Sequence, residues 1–173
     1  MRHIVIDTET SGFGVQRGGR VIEIGAVAVE NGVISEEFSS LINSGAAISY
    51  HAFRVHGISE EMLLGKPEPE TVWQELRHFI GDAELVAHNA PFDSSFVRHE
   101  LSLIGFELQN SWHCTVRLAR KVLPELHNHK LDTVYRHLFG EIPTSMQRHR
   151  ALDDARMTAR IWAELIGDGA LAP

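Results

Sequence analysis

Cysteine is nearly absent from this chain. Cys114 stands alone among 173 residues, which excludes an internal disulfide and fits a reducing compartment, so a cytoplasmic location is expected. Long apolar runs are missing too: none approaches the roughly 18 residues that a membrane span needs. The opening MRHIVIDTET lacks the apolar stretch and small-residue cleavage site of a secretory signal. No repeat, linker or low-complexity segment interrupts the chain, and its 43% hydrophobic and 23% charged residues make a globular composition, so a single domain over residues 1–173 is expected. The six residues after Gly167 are too few for another module. Basic excess is also lacking. A net charge of −7 argues against non-specific binding to an extended duplex, which rests on a basic patch that releases counterions. That exclusion is partial, because bound divalent cations reverse charge locally and let an acidic protein hold a few nucleotides at a chain end.

What is present reads as an α/β domain. RHIVIDTE is a buried strand, RVIEIGAVAVENG a second, and Asn31-Gly32 a two-residue hairpin into VISEEFSSLI, which together predict an antiparallel meander. After residue 45 helical segments alternate with short apolar runs. A helix follows KPEPE, with Val72, Leu76, Phe79 and Ile80 inward and Gly81 at its end. ELVAHNA is a short strand, PFDSSFVRHELSLIG a helix with Phe92, Phe96, Val97, Leu101 and Ile104 inward, and SWHCT a fifth strand. Helices around Val116 to Leu123, over LDTVYRHLFG and over ALDDARMTARIWAELIG complete the chain; in the last, Ala151, Ala155, Trp162 and Leu165 share one face.

The chemistry gathers in acids. Residues i and i+2 of a strand point the same way, so Asp7 and Glu9 project together from the end of the first strand. Their repulsion is removed by a divalent cation, and hard oxygen ligands suit Mg²⁺ or Mn²⁺. HNAPFD places Asp93 in the first turn of a helix, where the helix dipole favours an anion. HRALDDAR sets His149 five residues before Asp154 at the start of the last helix, with Asp153 adjacent and not separable from Asp154 by periodicity alone. Four carboxylates and one histidine are the ingredients of two-metal phosphodiester hydrolysis: one ion prepares a water nucleophile and the other stabilises the leaving oxygen. A histidine, with an ordinary pKa of about 6.5, suits the general base.

VIDTETSG, VHGIS, HNAPFD and HRALDDA together resemble the DEDDh branch of the DnaQ-like 3′-to-5′ exonucleases, over almost the whole chain, and in particular the proofreading epsilon subunit of bacterial DNA polymerase III. The resemblance implies a ribonuclease H-like fold with a mixed five-stranded sheet and flanking helices. It assigns two metal ions to Asp7, Glu9, Asp93 and Asp154, selecting Asp154 over Asp153, and the general base to His149. It also implies that Thr10 lies beside the terminal 3′-hydroxyl, His56 near the last base, and Asn89 at the HNAPFD turn or the phosphate; Phe92 is expected in the core. The implied activity is release of nucleoside 5′-monophosphates from single-stranded or frayed 3′ ends of DNA. The alternative is RNA trimming like that of ribonuclease T or oligoribonuclease. A receiver-like signalling domain or other non-catalytic module is a remote alternative: the first needs a lysine on a later strand, which neither LVAHN nor SWHCT supplies. The chain stops without the flexible extension of the polymerase subunit, which favours a free-standing nuclease over a partner in a polymerase complex.

Other features carry less. GFGVQRGGR lacks the Gly-Lys-Ser/Thr ending of a P-loop and precedes a strand, so it reads as a mobile loop, with Arg17 and Arg20 solvated. HNHK offers His127 and His129 without the further ligands of a zinc site. Cys114 reads as a small core residue.

Overall fold

A computed structural model describes residues 1–12 and 14–167; Phe13 of the glycine-rich segment and the six residues after Gly167 lie outside the described residues. Five strands, Arg2–Thr10 (β1), Val21–Glu30 (β2), Val33–Leu41 (β3), Glu84–Ala87 (β4) and Trp112–Cys114 (β5), form one mixed sheet in the order β3-β2-β1-β4-β5. The first three are the antiparallel meander expected from Asn31-Gly32, whose φ angles of 52° and 81° suit a tight two-residue turn. β4 lies parallel to β1, and β5 parallel to β4.

Helices cover both faces: Tyr50–His56 (α1), Glu60–Leu63 (α2), Pro69–Ile80 (α3), Ala90–Leu103 (α4), Thr115–Val122 (α5), Leu131–Phe139 (α6) and Ala151–Gly167 (α7). α1 and α2 are too short for a periodic signature, and the serines before them start them: Ser49 and Ser59 hydroxyls accept from the backbone N–H groups of Ala52 and Met62. Successive residues of β1 alternate between two cores. Ile4 and Ile6 join Ile24, Trp73, Phe96 and Leu101 beneath α3 and α4, whereas Val5, Val27 and Val86 meet Tyr135, Ala155, Trp162 and Leu165 beneath α6 and α7. Each buried Val, Ile, Leu or Phe among them contributes about 1.5–3 kcal/mol on burial. Because both faces are covered, β1 and β2 read as continuous apolar runs, and an acid in either one must find a partner.

The same alternation positions the chemistry, since Asp7 follows Val5 onto the α7 face. Pairing of β1 with β4 extends only from His3 to Val5. Beyond that point the free side of β1 is met by the start of α4, which opens one residue past the αL-turned Asn89.

Three sequence expectations change. Phe92 is 37% exposed rather than core, because it sits in the first turn of α4 beyond the cover of the sheet; its ring leans on Phe96 at 5.1 Å. Cys114 is half-buried at the residue before α5. In the glycine-rich segment, Val15–Arg17 form a 3-10 turn, and Arg20 is anchored by a two-pronged ion pair at 2.8 Å to Glu100 of α4, a side chain 1% exposed. A buried carboxylate needs such a partner.

Candidate active site

Helix α7 packs on β2 with backbone against backbone. A Cβ at Gly25 would lie 2.4 Å from Ala151 C and from Leu152 N, so glycine is what lets the helix start this close. Gly25 is the register partner of Asp7. The close approach therefore brings the first turn of α7, with Asp154, over the end of β1. Glu23, opposite Glu9 in the same register, secures that helix start: its carboxylate accepts from Ala151 N–H at 3.0 Å and from the Arg150 guanidinium at 2.6–3.2 Å.

The two adjacent acids of α7 diverge. Asp153 turns out to Arg156 and accepts from Gln147 N–H, while Asp154 is buried and its carboxylate meets Arg148 and the backbone N–H of His149. His149 itself is exposed, with φ of 60° in the left-handed region, which is a strained conformation for a non-glycine residue and is held here by the Asp154 contact. Ligand-capable atoms of Glu9, His149 and Asp154 all lie within 4.8 Å of one another. From the other side α4 delivers Asp93. One of its oxygens accepts from both the Thr8 hydroxyl at 2.9 Å and the Thr8 N–H at 3.1 Å, the backbone group that β4 leaves unpaired.

Electrostatically the cluster is under-neutralised. Burial foremost, then repulsion from Asp93 and Glu9, raises the Asp7 carboxyl well above its ordinary value. Burial, then Glu23 and Asp93, pushes Glu9 up to about 8. Asp93 rises to about 7 through burial, opposed by its Thr8 hydrogen bonds. Arg148, which also pairs with Asp132 of α6, offsets part of this charge, and at Glu9 Arg150 adds to that offset. Oxygen donors that repel each other and draw in a guanidinium fit divalent cations well. His149 moves the other way: partial desolvation of the ring, although the residue is largely exposed, and then Arg148 lower its proton affinity, against a smaller opposing effect of Asp132, which favours the neutral imidazole.

A family model described as an exonuclease matches residues 4–162. The chain belongs to the exonuclease family. It is a DnaQ-like 3′-5′ exonuclease domain. It is 37% identical over 174 residues to the DNA polymerase III subunit epsilon of Rickettsia conorii, covering 96% of this chain and 74% of that protein. The 3′-5′ exonuclease DinG of Bacillus subtilis is also 37% identical, but the match spans only 18% of its length. Among solved structures, exonuclease X in complex with 5′ overhanging duplex DNA superposes with a TM-score of 0.80 at 30% identity, over 98% of this chain and 94% of that one. The nuclease domain of 3′hExo, a DEDDh family member bound to rAMP, superposes with a TM-score of 0.82 at 16% identity and shares the fold.

In this exonuclease two of the three expected substrate residues, Thr10 and His56, line a cleft of about 170 Å³ together with Thr8, Glu9, His51 and Phe92 among others; Asn89 does not line it. Thr10 is buried; its hydroxyl donates to Gly12 O at 2.7 Å, and its carbonyl lies 3.2 Å from His56 Nε2, so both of these polar groups are already engaged within the chain. His56 is held in turn by Ile58 N–H on Nδ1. Asn89 is exposed, and its αL backbone (φ 77°) turns the chain into α4. Sequence reasoning passed over Glu23, Gly25, Arg148 and Arg150. A lone acid inside the apolar run VIEIGAVAVE was the available signal for Glu23. His88 was also missed: its ring nitrogens meet Thr115 Oγ1 at 2.9 Å and the His129 carbonyl at 3.0 Å, tying α5 and the HNHK segment to the end of β4.

Proposed function

We propose that residues 1–173 act as a single domain that removes nucleoside 5′-monophosphates from single-stranded or frayed 3′ ends of DNA. The resident cofactors are Mg²⁺ or Mn²⁺, two per site. The observation that carries this reading is the convergence of Asp7, Glu9, Asp93, Asp154 and His149 at the end of β1, beside the cleft of Thr10 and His56. DNA is favoured by the relatives: a 30%-identical exonuclease was solved on DNA carrying a 5′ overhang, which presents a recessed 3′ end.

Asp7, Glu9, Asp93 and Asp154 would hold the cations. When bound, these ions supply a water of lowered pKa and charge stabilisation for the leaving oxygen. The chain's own residues do the rest. His149, in its favoured neutral form, takes the proton of the attacking water on an imidazole nitrogen. The two Thr8 hydrogen bonds fix the Asp93 carboxylate so that it does not reorganise during the reaction. Thr10, His56 and the exposed edge of Phe92 receive the last nucleoside, and Asn89, exposed at the turn into α4, is offered to the phosphate. The epsilon-subunit relatives support a DNA polymerase complex as one setting for this activity.

The test is a 5′-labelled oligonucleotide incubated with the protein and Mg²⁺ or Mn²⁺. A ladder shortening from the 3′ end, abolished by EDTA and by Asp7→Ala, is expected. Folded protein that cleaves with neither metal would overturn the proposal. A matched RNA oligomer in the same tube addresses substrate choice: loss of RNA faster than DNA would reassign the enzyme to RNA trimming.

A further inference from the structure

At the opposite end of β1 from the catalytic acids, three neighbouring strands present a second cluster. His3 of β1 is the register partner of Glu84 of β4, and His113 of β5 pairs with Val86, two residues further along β4 and on the same face. Their side chains therefore rise together toward α7. His113 Nε2 lies 2.9 Å from Glu84 Oε2, and His3 Nε2 lies 3.6 Å from the same oxygen, beyond hydrogen-bond reach. One ligand-capable atom from each of the three falls within 4.8 Å of the others. The Trp162 ring closes the side, with centroids 5.1 Å from both imidazoles.

We propose that His3, Glu84 and His113 form a transition-metal site, for Zn²⁺ or a similar borderline cation, distinct from the catalytic carboxylates. Four strand steps separate His3 from Asp7, about 13 Å at roughly 3.3 Å per residue. The spacing is right for the ion: tetrahedral ligands about 2.0–2.1 Å from Zn²⁺ stand about 3.3–3.4 Å from each other, and the two observed separations from Glu84, 2.9 and 3.6 Å, bracket that value. Two imidazoles and one carboxylate with the fourth position open to water form a donor set that zinc accepts, and imidazole discriminates against Mg²⁺. Glu84 is 43% exposed in its side chain, which gives an entry path, whereas His3 at 7% exposed is a nearly buried imidazole whose facing nitrogen falls short of its nearest carboxylate. Burial, the largest cause, lowers the proton affinity of His3, and the hydrogen bond from His113 lowers that of Glu84, so both are in their ligating forms at neutral pH. Binding at His113 Nε2 requires the proton on that nitrogen to move to Nδ1 of the neutral ring, and it joins β1, β4 and β5 through one centre.

The site uses none of the catalytic acids, so its failure would leave the proposed nuclease activity untouched. The test is a Zn²⁺ titration by calorimetry on tag-free protein in excess Mg²⁺, in an Asp7→Asn/Asp154→Asn background that weakens the catalytic site. One Zn²⁺ per chain is expected, together with a rise in melting temperature of several degrees (about 2–4 °C per kcal/mol of linked binding). Both are lost when Glu84→Gln or His113→Gln is added. Co²⁺ in place of Zn²⁺ gives visible d–d absorption with the same dependence. Should His113→Gln fail to fold, the more exposed Glu84→Gln reads the same outcome. Absence of binding, or one Zn²⁺ retained in Glu84→Gln, would overturn the proposal and leave a metal-free cluster in which His113 alone hydrogen-bonds Glu84.

Discussion

Gly25→Ala should damage catalysis at a residue that carries no functional group. The added Cβ would meet Ala151 C and Leu152 N at 2.4 Å and Ala151 O at 2.5 Å, and all three atoms are backbone, so no rotamer change relieves the clash. Ordinary contact requires about 1 Å more, which the start of α7 or the middle of β2 must supply. β2 is held on both sides, by Asp7 of β1 and Ser39 of β3 in register with Gly25, so the helix yields. Overpacking of this kind costs about 1–3 kcal/mol. Stretching the 3.0 Å bond from Ala151 N–H to the Glu23 carboxylate adds about 1 kcal/mol. A loss of about 3 kcal/mol lowers the melting temperature by about 6–12 °C in a domain of this size. Asp154 and His149 ride on the displaced segment, and a misplacement of about 1 Å costs on the order of 10²-fold in rate. The Thr10–His56 cleft is lined from β1, α1 and Phe92 of α4, with no residue of α7, and keeps its shape, so the loss falls on kcat more than on KM. Steady-state hydrolysis of a labelled 3′ end, alongside thermal melting, reads both numbers. Wild-type stability with wild-type kcat would refute the packing argument outright.

Three other outcomes follow from the same geometry. His149→Gln should keep the fold and lower kcat by about 10²–10⁴-fold, measured by single-turnover cleavage; an undiminished rate would remove the imidazole from the general-base role. Arg148→Gln should raise the midpoint of the acid limb of kcat/KM, because Arg148 is the largest charge effect holding down the His149 proton affinity; an unmoved acid limb would mean that another group titrates there. The third concerns pH and metal together. Carboxyls whose folded proton affinity exceeds the unfolded one contribute stability that is present below their unfolded values of 3.8–4.5 and lost as pH rises through about 7 for Asp93 and about 8 for Glu9. Metal-free protein should therefore lose melting temperature across that window relative to an Asp7→Asn/Glu9→Gln variant, and Mg²⁺ should restore the wild type alone. Parallel curves for the two proteins, with and without Mg²⁺, would show that the carboxylates are not strained by one another.

How far the site was legible depended on the range over which each contact acts. Asp7 and Glu9 could be paired from strand period alone, because i and i+2 share a face whatever lies around them. Choosing Asp154 over Asp153 could not rest on period; it took family resemblance, and the physical reason is that Arg156 and Gln147 N–H draw Asp153 outward while Arg148 and His149 N–H hold Asp154 inward. Phe92 misled because helical spacing reports a face, not whether the sheet extends far enough to cover that face; at the first turn of α4 it does not. Glu23 and Ala151 are 128 residues apart in the chain, and nothing local to Gly25 says that a helix start will rest on it. Yet the two features are one device: a glycine removes the side chain that would hold α7 off the sheet, and the neighbouring acid caps the helix that comes down. The catalytic motifs therefore name the groups, whereas VIEIGAVAVE, an apolar strand interrupted by one acid and one glycine, sets the distance between them.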